Sequence, residues 1–143
     1  MRITAAAPNA EQIAALQAAG LPIDDFENSV PRLWWQAAQG DAWIGIIALE
    51  RHGNVGLLRS LLVRQDGRRY GIGRDLVAAV ESAAASVGLD ALYLLTTDAE
   101  GYFAKLDYAT VERAEVPDAV RATAQFSCLC PASAIVMRKR LAP

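Results

Sequence analysis

The sequence predicts an α/β fold with a central mixed, mostly antiparallel twisted sheet flanked by helices, and three observations carry that expectation. Three strand-like runs, "RLWWQAA", "AWIGIIALE" and "NVGLLRSLLV", follow one another across the short turns "QGD" and "RHGN", as in an antiparallel meander. The third run leads into a long amphipathic helical stretch and then into "ALYLLT", an order that places two strands parallel. With 143 residues, 53% hydrophobic and 21% charged, and with no repeat or low-complexity linker, the chain reads as one globular domain over residues 1–143.

Taken in order, "RITAA" (2 to 6) reads as a short edge strand. Asn9 is placed to cap the helix "AEQIAALQAAG", which Gly20 closes. Residues 21 to 31, "LPIDDFENSVP", mix proline, acidic and isolated apolar residues, the composition of an irregular segment or short helix draped over the body. Such loops commonly carry binding residues. After the meander, Ile72, Leu76, Val80, Ala83 and Val87 recur at helical spacing between Gly71 and Gly88, and Gly88 supplies the stop. "ALYLLT" is a near-continuous apolar run, as expected of a strand covered on both faces and parallel to the one before the helix. Thr97 followed by Glu100 has the spacing of a capping box and predicts a short helix over "TDAEGYFAKL". A strand "YATVER", a proline-started piece "PDAVRATAQF" and a last strand "SAIVMRKRL" complete the chain.

The net charge of −2 lacks the basic excess of nucleic-acid-binding modules. No apolar run approaches the roughly 20 residues of a membrane span, and the start has no basic region followed by an apolar stretch and cleavage site. A cytoplasmic protein without a membrane or nucleic-acid partner is therefore expected. Cys128, Cys130 and the single His52 are too few for a structural zinc set, so no metal is expected. The C-x-C spacing makes a bond between the two thiols awkward, and buried free thiols in a reducing compartment are the expected state. His52 reads as an exposed turn residue, and Trp34, Trp35 and Trp43 as packing for the sheet or, for one of them, as lining for a pocket.

The stretch "RRYGIGRDLV" poses the functional question. It lacks the lysine of a phosphate-binding nucleotide loop, and Leu76 stands where a dinucleotide fingerprint needs its third glycine. What remains is Arg68, Arg69, Tyr70, Gly71, Ile72, Gly73 and Arg74 at the start of a helix, where unpaired backbone N–H groups and the helix dipole favour an anion. Glycines at 71 and 73 let a phosphate approach the backbone, and Arg64, Arg68, Arg69 and Arg74 add positive charge. The plain alternative is a glycine turn with solvated arginines.

The order of these pieces resembles the GNAT acetyl-CoA-dependent N-acetyltransferases, whose R/Q-x-x-G-x-G/A motif matches Arg68, Gly71 and Gly73. The resemblance extends over "LLRSLLV", "LYLLT" and "GYFAKLDYATVER", the last being similar to the family's F-Y-x-K-x-G-F segment. It implies a GNAT fold in which the backbone from Arg68 to Arg74 holds the pyrophosphate of acetyl-CoA. Leu61 and Val63 would pair through their backbone with the pantetheine arm while their side chains serve the core. The family's thiolate-protonating tyrosine falls at Phe103, which has no proton to give; Tyr102, its neighbour, is the candidate general acid, though adjacent helical residues point about 100° apart. Water, or no dedicated acid, is the alternative.

A narrower resemblance, strongest over "RAEVPDAVRATAQFSCLCPASAIVM", is to bacterial acetyltransferases associated with arsenic resistance, near relatives of N-acetylglutamate synthase-like domains. It implies a small amino-acid-like acceptor, including arsenic- or phosphorus-bearing glutamate analogues, and direct attack of its amine in a ternary complex. Arg59 is then the candidate grip for a carboxylate, against the reading of an exposed strand residue. Thr96 and Thr97 are candidates to orient the amine or a water, Thr97 being equally explained as a cap, and Glu50 is a candidate base acting through water, against a solvated strand end. Two neighbouring thiols with no third ligand make a poor site for trivalent arsenic. The competing readings are a non-catalytic acyl-CoA sensor or partner module and a protein-modifying acetyltransferase; the resemblance also implies sheet edges that pair into a homodimer.

Overall fold

The computed structural model describes residues 1–21, 23, 24, 32–64, 71–123, 126 and 134–141. The expected site residues Arg68, Arg69 and Tyr70 of the glycine turn, and Cys128 and Cys130, lie outside the described residues. So does most of the segment 21 to 31.

Seven strands form one mixed sheet: β1 (Arg2–Ala5), β2 (Arg32–Gln39), β3 (Ala42–His52), β4 (Val55–Val63), β5 (Ala91–Thr96), β6 (Ala109–Thr110) and β7 (Ile135–Arg140), in the order β1-β2-β3-β4-β5-β7-β6. β1 to β4 are successively antiparallel, β2, β3 and β4 through short turns and β1 and β2 across the first helix. β4 and β5 are parallel, joined by the long helix α2 (Ile72–Ser86). β7 returns antiparallel between β5 and β6.

Helix α1 (Ala10–Ala18) begins where Asn9 accepts from the Gln12 N–H at 2.8 Å and the Gln12 side chain accepts from the Asn9 N–H at 2.9 Å. This reciprocal cap satisfies two of the N–H groups a helix start leaves unpaired. α2 buries Ile72, Leu76, Val77, Val80 and Ala84 against the sheet. The expected stripe through Ala83 and Val87 is displaced by one position at its end: Val87 is 49% exposed and Ala84 takes the core contact, because Ile72, Leu76, Val80 and Ala84 run along one four-residue ridge.

Sequence expectations and structure part after β5. Helix α3 (Glu100–Ala104) starts at Glu100, and the bond that closes its entry comes from Thr96, whose Oγ1 accepts from the Ala99 N–H at 2.9 Å. Thr97, expected to cap, is exposed. "YATVER" supplies only the two-residue β6, and Arg113–Glu115 turn into a single 3₁₀ turn ahead of α4 (Asp118–Arg121).

The sheet is apolar on both sides. Leu58, Leu92 and Leu94 point to a core shared with α2 and Phe103, while Val55, Leu57, Ala91 and Tyr93 point to a second core closed by Val116, Val120 and Phe126. This is the two-faced burial that "ALYLLT" predicts, and it follows from the period of two along a strand.

β4 is irregular at one place. Ile46 pairs with Leu62 and Ala48 with Arg59, so β4 carries one residue more than β3 between those pairs, and Ser60 takes a left-handed φ of 61°. A bulge of this kind bends its strand. Pairing of β4 with β5 ends at Leu57–Tyr93, and beyond that point the two parallel strands part.

Candidate functional site

Two adjoining cavities occupy the gap. The smaller, about 170 Å³, lies between the parted strands, with Arg59, Ser60 and Leu61 on the β4 side and Leu94 to Thr96 on the β5 side. Asp98, Tyr102 and Phe103 close its end. The larger, about 720 Å³ and open, runs along Leu61, Leu62 and Val63 to Gly71, Gly73 and Arg74, with Tyr102, Lys105 and Leu106 on its other wall. Leu61 and Tyr102 belong to both.

At the far end of the larger groove, Gly71 precedes α2 in the left-handed conformation, φ 69°, and no side chain caps the helix. The first N–H groups of α2 thus lack an intrahelical acceptor and are offered none by the side chain of the cap residue, a glycine, the arrangement that receives an anion. A Cβ at Gly71 would stand 2.9 Å from Arg74 Nη2, and one at Gly73 would stand 2.3 Å from the Tyr102 hydroxyl and 3.4 Å from Val63. The backbone at both positions is therefore approachable only because glycine occupies them. Ile72 is buried in the core and can offer only its backbone. Arg74 is exposed beside Asp75 at 3.7 Å. Arg64, counted with the basic cluster in the sequence, is turned elsewhere: it lies 5.0 Å over the Trp43 ring and 3.7 Å from Glu11.

Tyr102 stands at the junction of the cavities. Its ring meets Phe103 edge-on at 5.3 Å, and Phe103 is buried beneath it. Burial pushes the Tyr102 phenol above its ordinary value of 10.0, with Arg74 pulling down and Asp75 pushing up, so its proton stays on near neutral pH. The turn of the helix that separates neighbouring side chains puts Phe103 in the core and leaves Tyr102 at the groove.

Glu50 and Arg59 are neither solvated nor on an open strand face. Glu50 Oε2 accepts from Arg59 Nη1 at 2.8 Å and from Arg32 Nε at 2.6 Å, and Oε1 lies 3.1 Å from His52 Nε2. The Glu50 and Arg59 side chains are 2% and 1% exposed. Burial alone would raise the Glu50 pKa, but the donors His52, Arg59 and Arg32 outweigh it and bring it down from 4.5 to about 2. A carboxylate that holds a proton so weakly is poorly matched to general-base work, and Glu50 lines neither cavity. The base expected at Glu50 is thus corrected to a buried counter-ion, and His52, expected as an exposed turn residue, is one of its partners.

Of the other expected residues, Thr96 lines the small cavity while its hydroxyl closes the α3 turn. Thr97 reaches neither cavity. Leu61 and Val63 line the groove and also pack against the main core. No tryptophan lines either cavity. Asp98 and Lys105 are additions. Lys105 stands in the "YFAKLDY" segment that the family resemblance already singled out, whereas Asp98 carries no motif signal. Among the described residues no group of three or more His, Cys, Asp or Glu could hold a metal, and no helix is long and apolar enough to cross a membrane.

Comparison with known proteins agrees with this fold. A family model described as the acetyltransferase (GNAT) family matches residues 5–108. No curated protein matches the sequence. Among solved structures, N-acetylglutamate synthase from Neisseria gonorrhoeae, complexed with coenzyme A and N-acetyl-glutamate, is similar at a TM-score of 0.80 and 20% identity. That match covers 100% of this chain but only 36% of the synthase. A GNAT acetyltransferase from Staphylococcus aureus matches at a TM-score of 0.72 and 19% identity, over 99% of this chain and 100% of the other. An aminoglycoside 6'-N-acetyltransferase complexed with coenzyme A matches at 0.73 and 21%, over 100% and 98%. The family match runs through the parted strands, the glycine turn and the helix that carries Tyr102, and the chain belongs to the acetyltransferase (GNAT) family of acetyl-CoA-dependent enzymes.

Proposed function

We propose that the protein transfers an acetyl group from acetyl-CoA to the amino group of a small amino-acid-like substrate, by direct attack in a ternary complex. The observation that carries this reading is the pair of adjoining cavities that meet at Leu61 and Tyr102. One has the size of ordinary cofactor grooves, which run from about 300 to 1,000 Å³, and the other is smaller than that range. A small acceptor fits the second better than an aminoglycoside or a folded protein.

Acetyl-CoA supplies an activated thioester when bound, and the protein's part is to hold and orient. Backbone N–H groups of residues 71 to 74 receive the pyrophosphate, with Arg74 and Lys105 adding charge. The Arg68 to Tyr70 stretch of the motif belongs to the same proposed cradle. Leu61 and Val63 present backbone to the pantetheine arm, and an N–H near Leu61 faces the carbonyl oxygen as its negative charge grows. Arg59, fixed by Glu50, grips the acceptor's carboxylate, and Thr96 lies on the same wall. Tyr102 holds the proton that the departing sulfur needs. In this scheme Glu50 acts through Arg59 and is a positioning residue.

Thiol release from acetyl-CoA, measured with glutamate, phosphinothricin, arsinothricin, polyamines and a lysine peptide, tests the reading. Release with the amino acids is expected. Release with the lysine peptide alone would establish a protein-modifying enzyme instead. The buried Phe103 at the family's tyrosine position favours one second reading, an acyl-CoA sensor. Retained coenzyme A binding with no release from any amine would establish it.

A further inference from the structure

We infer that Asp98 receives the acceptor's ammonium group, opposite Arg59, and that the acceptor is consequently a zwitterionic α-amino acid. The inference rests on the acetyl-transfer reading above and names a residue and a substrate class within it. Three observations lead to Asp98. First, it lines the same small cavity as Arg59, so a buried cation and an exposed carboxylate face one space. Second, Asp98 has no structural employment. An aspartate just ahead of a helix ordinarily caps it, yet α3 has no side-chain cap bond, and the turn into it is closed by the Thr96 hydroxyl. Among the described residues the Asp98 carboxylate makes no hydrogen bond or ion pair, unlike Glu50, Glu81 and Asp90, which hold neighbouring side chains.

Third, the dimensions fit. A sphere of 170 Å³ is about 7 Å across, so a carboxylate and an amine on one carbon span the two charged walls, while a long polyamine or an aminoglycoside does not fit between them. The remaining walls, among them Leu58, Leu94 and Phe103, are apolar and take the side chain's methylenes. Tyr102 lines this cavity as well as the cofactor groove, so an amine held at Asp98 lies in the cavity that opens onto the thioester side. The ammonium must shed one proton before it attacks. Asp98, being exposed, holds it where bulk water can accept that proton.

The test compares wild type, Asp98→Asn and Asp98→Glu in the coenzyme A-loaded full chain, by calorimetric binding of L-glutamate, L-glutamine, L-methionine and phosphinothricin and by thiol release with the same acids. Glutamate α-amide and putrescine serve as probes that lack the α-carboxylate. The expected result is an acceptor KM raised about tenfold or more in Asp98→Asn, with acetyl-CoA KM unchanged, partial recovery in Asp98→Glu, and a preference of wild type for the acids over both probes. Equal acceptor KM and binding in wild type and Asp98→Asn would overturn the inference while leaving acetyl transfer standing. Putrescine acetylated in preference to every α-amino acid would overturn it too. Binding of an α-amino acid that depends on Asp98, with no thiol release from any amine, would instead uphold the inference and remove acetyl transfer.

Discussion

Arg59 donates from Nη1 to Glu50 Oε2 over 2.8 Å, and both side chains are withdrawn from solvent. Removing one partner of such a pair leaves the other charge buried without it, which costs about 3–5 kcal/mol. Glu50→Ala is expected to lose stability on that scale in chemical denaturation. Glu50→Gln keeps the shape and is expected to raise the acceptor KM with little change in the KM for acetyl-CoA, because the groove residues are separate from the Glu50 cluster. Equal changes in both constants would contradict a positioning role.

The same carboxylate predicts a pH dependence. Its folded pKa of about 2 lies below the ordinary 4.5, so its contribution is fully present above 4.5 and is lost as pH falls through 2. At about 1.4 kcal/mol per tenfold change in proton affinity, it amounts to about 3 kcal/mol. Urea midpoints measured from pH 6 to pH 2 should fall across this window more steeply in wild type than in Glu50→Gln.

Gly73→Ala separates stability from function. Its Cβ would meet the Tyr102 hydroxyl at 2.3 Å, but Tyr102 is 42% exposed and free to swing outward, and alanine is favoured over glycine inside a helix by about 1 kcal/mol. Stability should therefore change little. The KM for acetyl-CoA should rise, and Gly73→Trp should abolish coenzyme A binding; unchanged affinity in the tryptophan variant would remove the pyrophosphate assignment.

Tyr102→Phe tests the proton donor. A general acid is worth about 100-fold or more, so kcat should fall by roughly that factor while binding of coenzyme A persists. A fall below threefold would mean that water protonates the leaving sulfur. Since burial raises the Tyr102 pKa, the wild-type rate should show no loss from this group near neutral pH.

Gly56 is a contrasting glycine. A Cβ there would stand 2.6 Å from Leu49 Cδ1 and 2.8 Å from Leu92 Cδ2, side chains that are 1% and 0% exposed and have nowhere to move. Gly56→Ala is expected to cost about 1–3 kcal/mol, read as a lowered thermal midpoint with acceptor preference unchanged.

The donor side was legible because its signals are short-range. Gly71, the uncapped start of α2 and the amphipathic ridge behind it all lie within a few residues of one another, so the hydrophobic period and the glycines reveal them. Asn9 was legible for the same reason, its partner being three residues away. Thr97 misled on the same scale: Thr96 and Thr97 are both hydroxyls near a helix start, and only the direction of the strand end selects the first. The buried partners of Glu50, read from the sequence as a candidate base or a solvated strand end, were not legible because Arg32 and Arg59 lie 18 and 9 positions away and no local pattern joins them.

By itself the sequence determined the order of strands and helices, the parallel step from β4 to β5 and the glycine turn, since period, caps and turn residues act locally. Only the tertiary structure decided where the acceptor side lies. The bulge at Ser60 parts β4 from β5 and opens the cavity, and the neighbouring strands β2 and β3 bring Arg32 and Glu50 together to hold Arg59. Asp98 and Arg59 share that space although 39 positions separate them in the chain, because parallel pairing, which long crossovers permit, sets β4, which carries Arg59, beside β5, which ends just before Asp98.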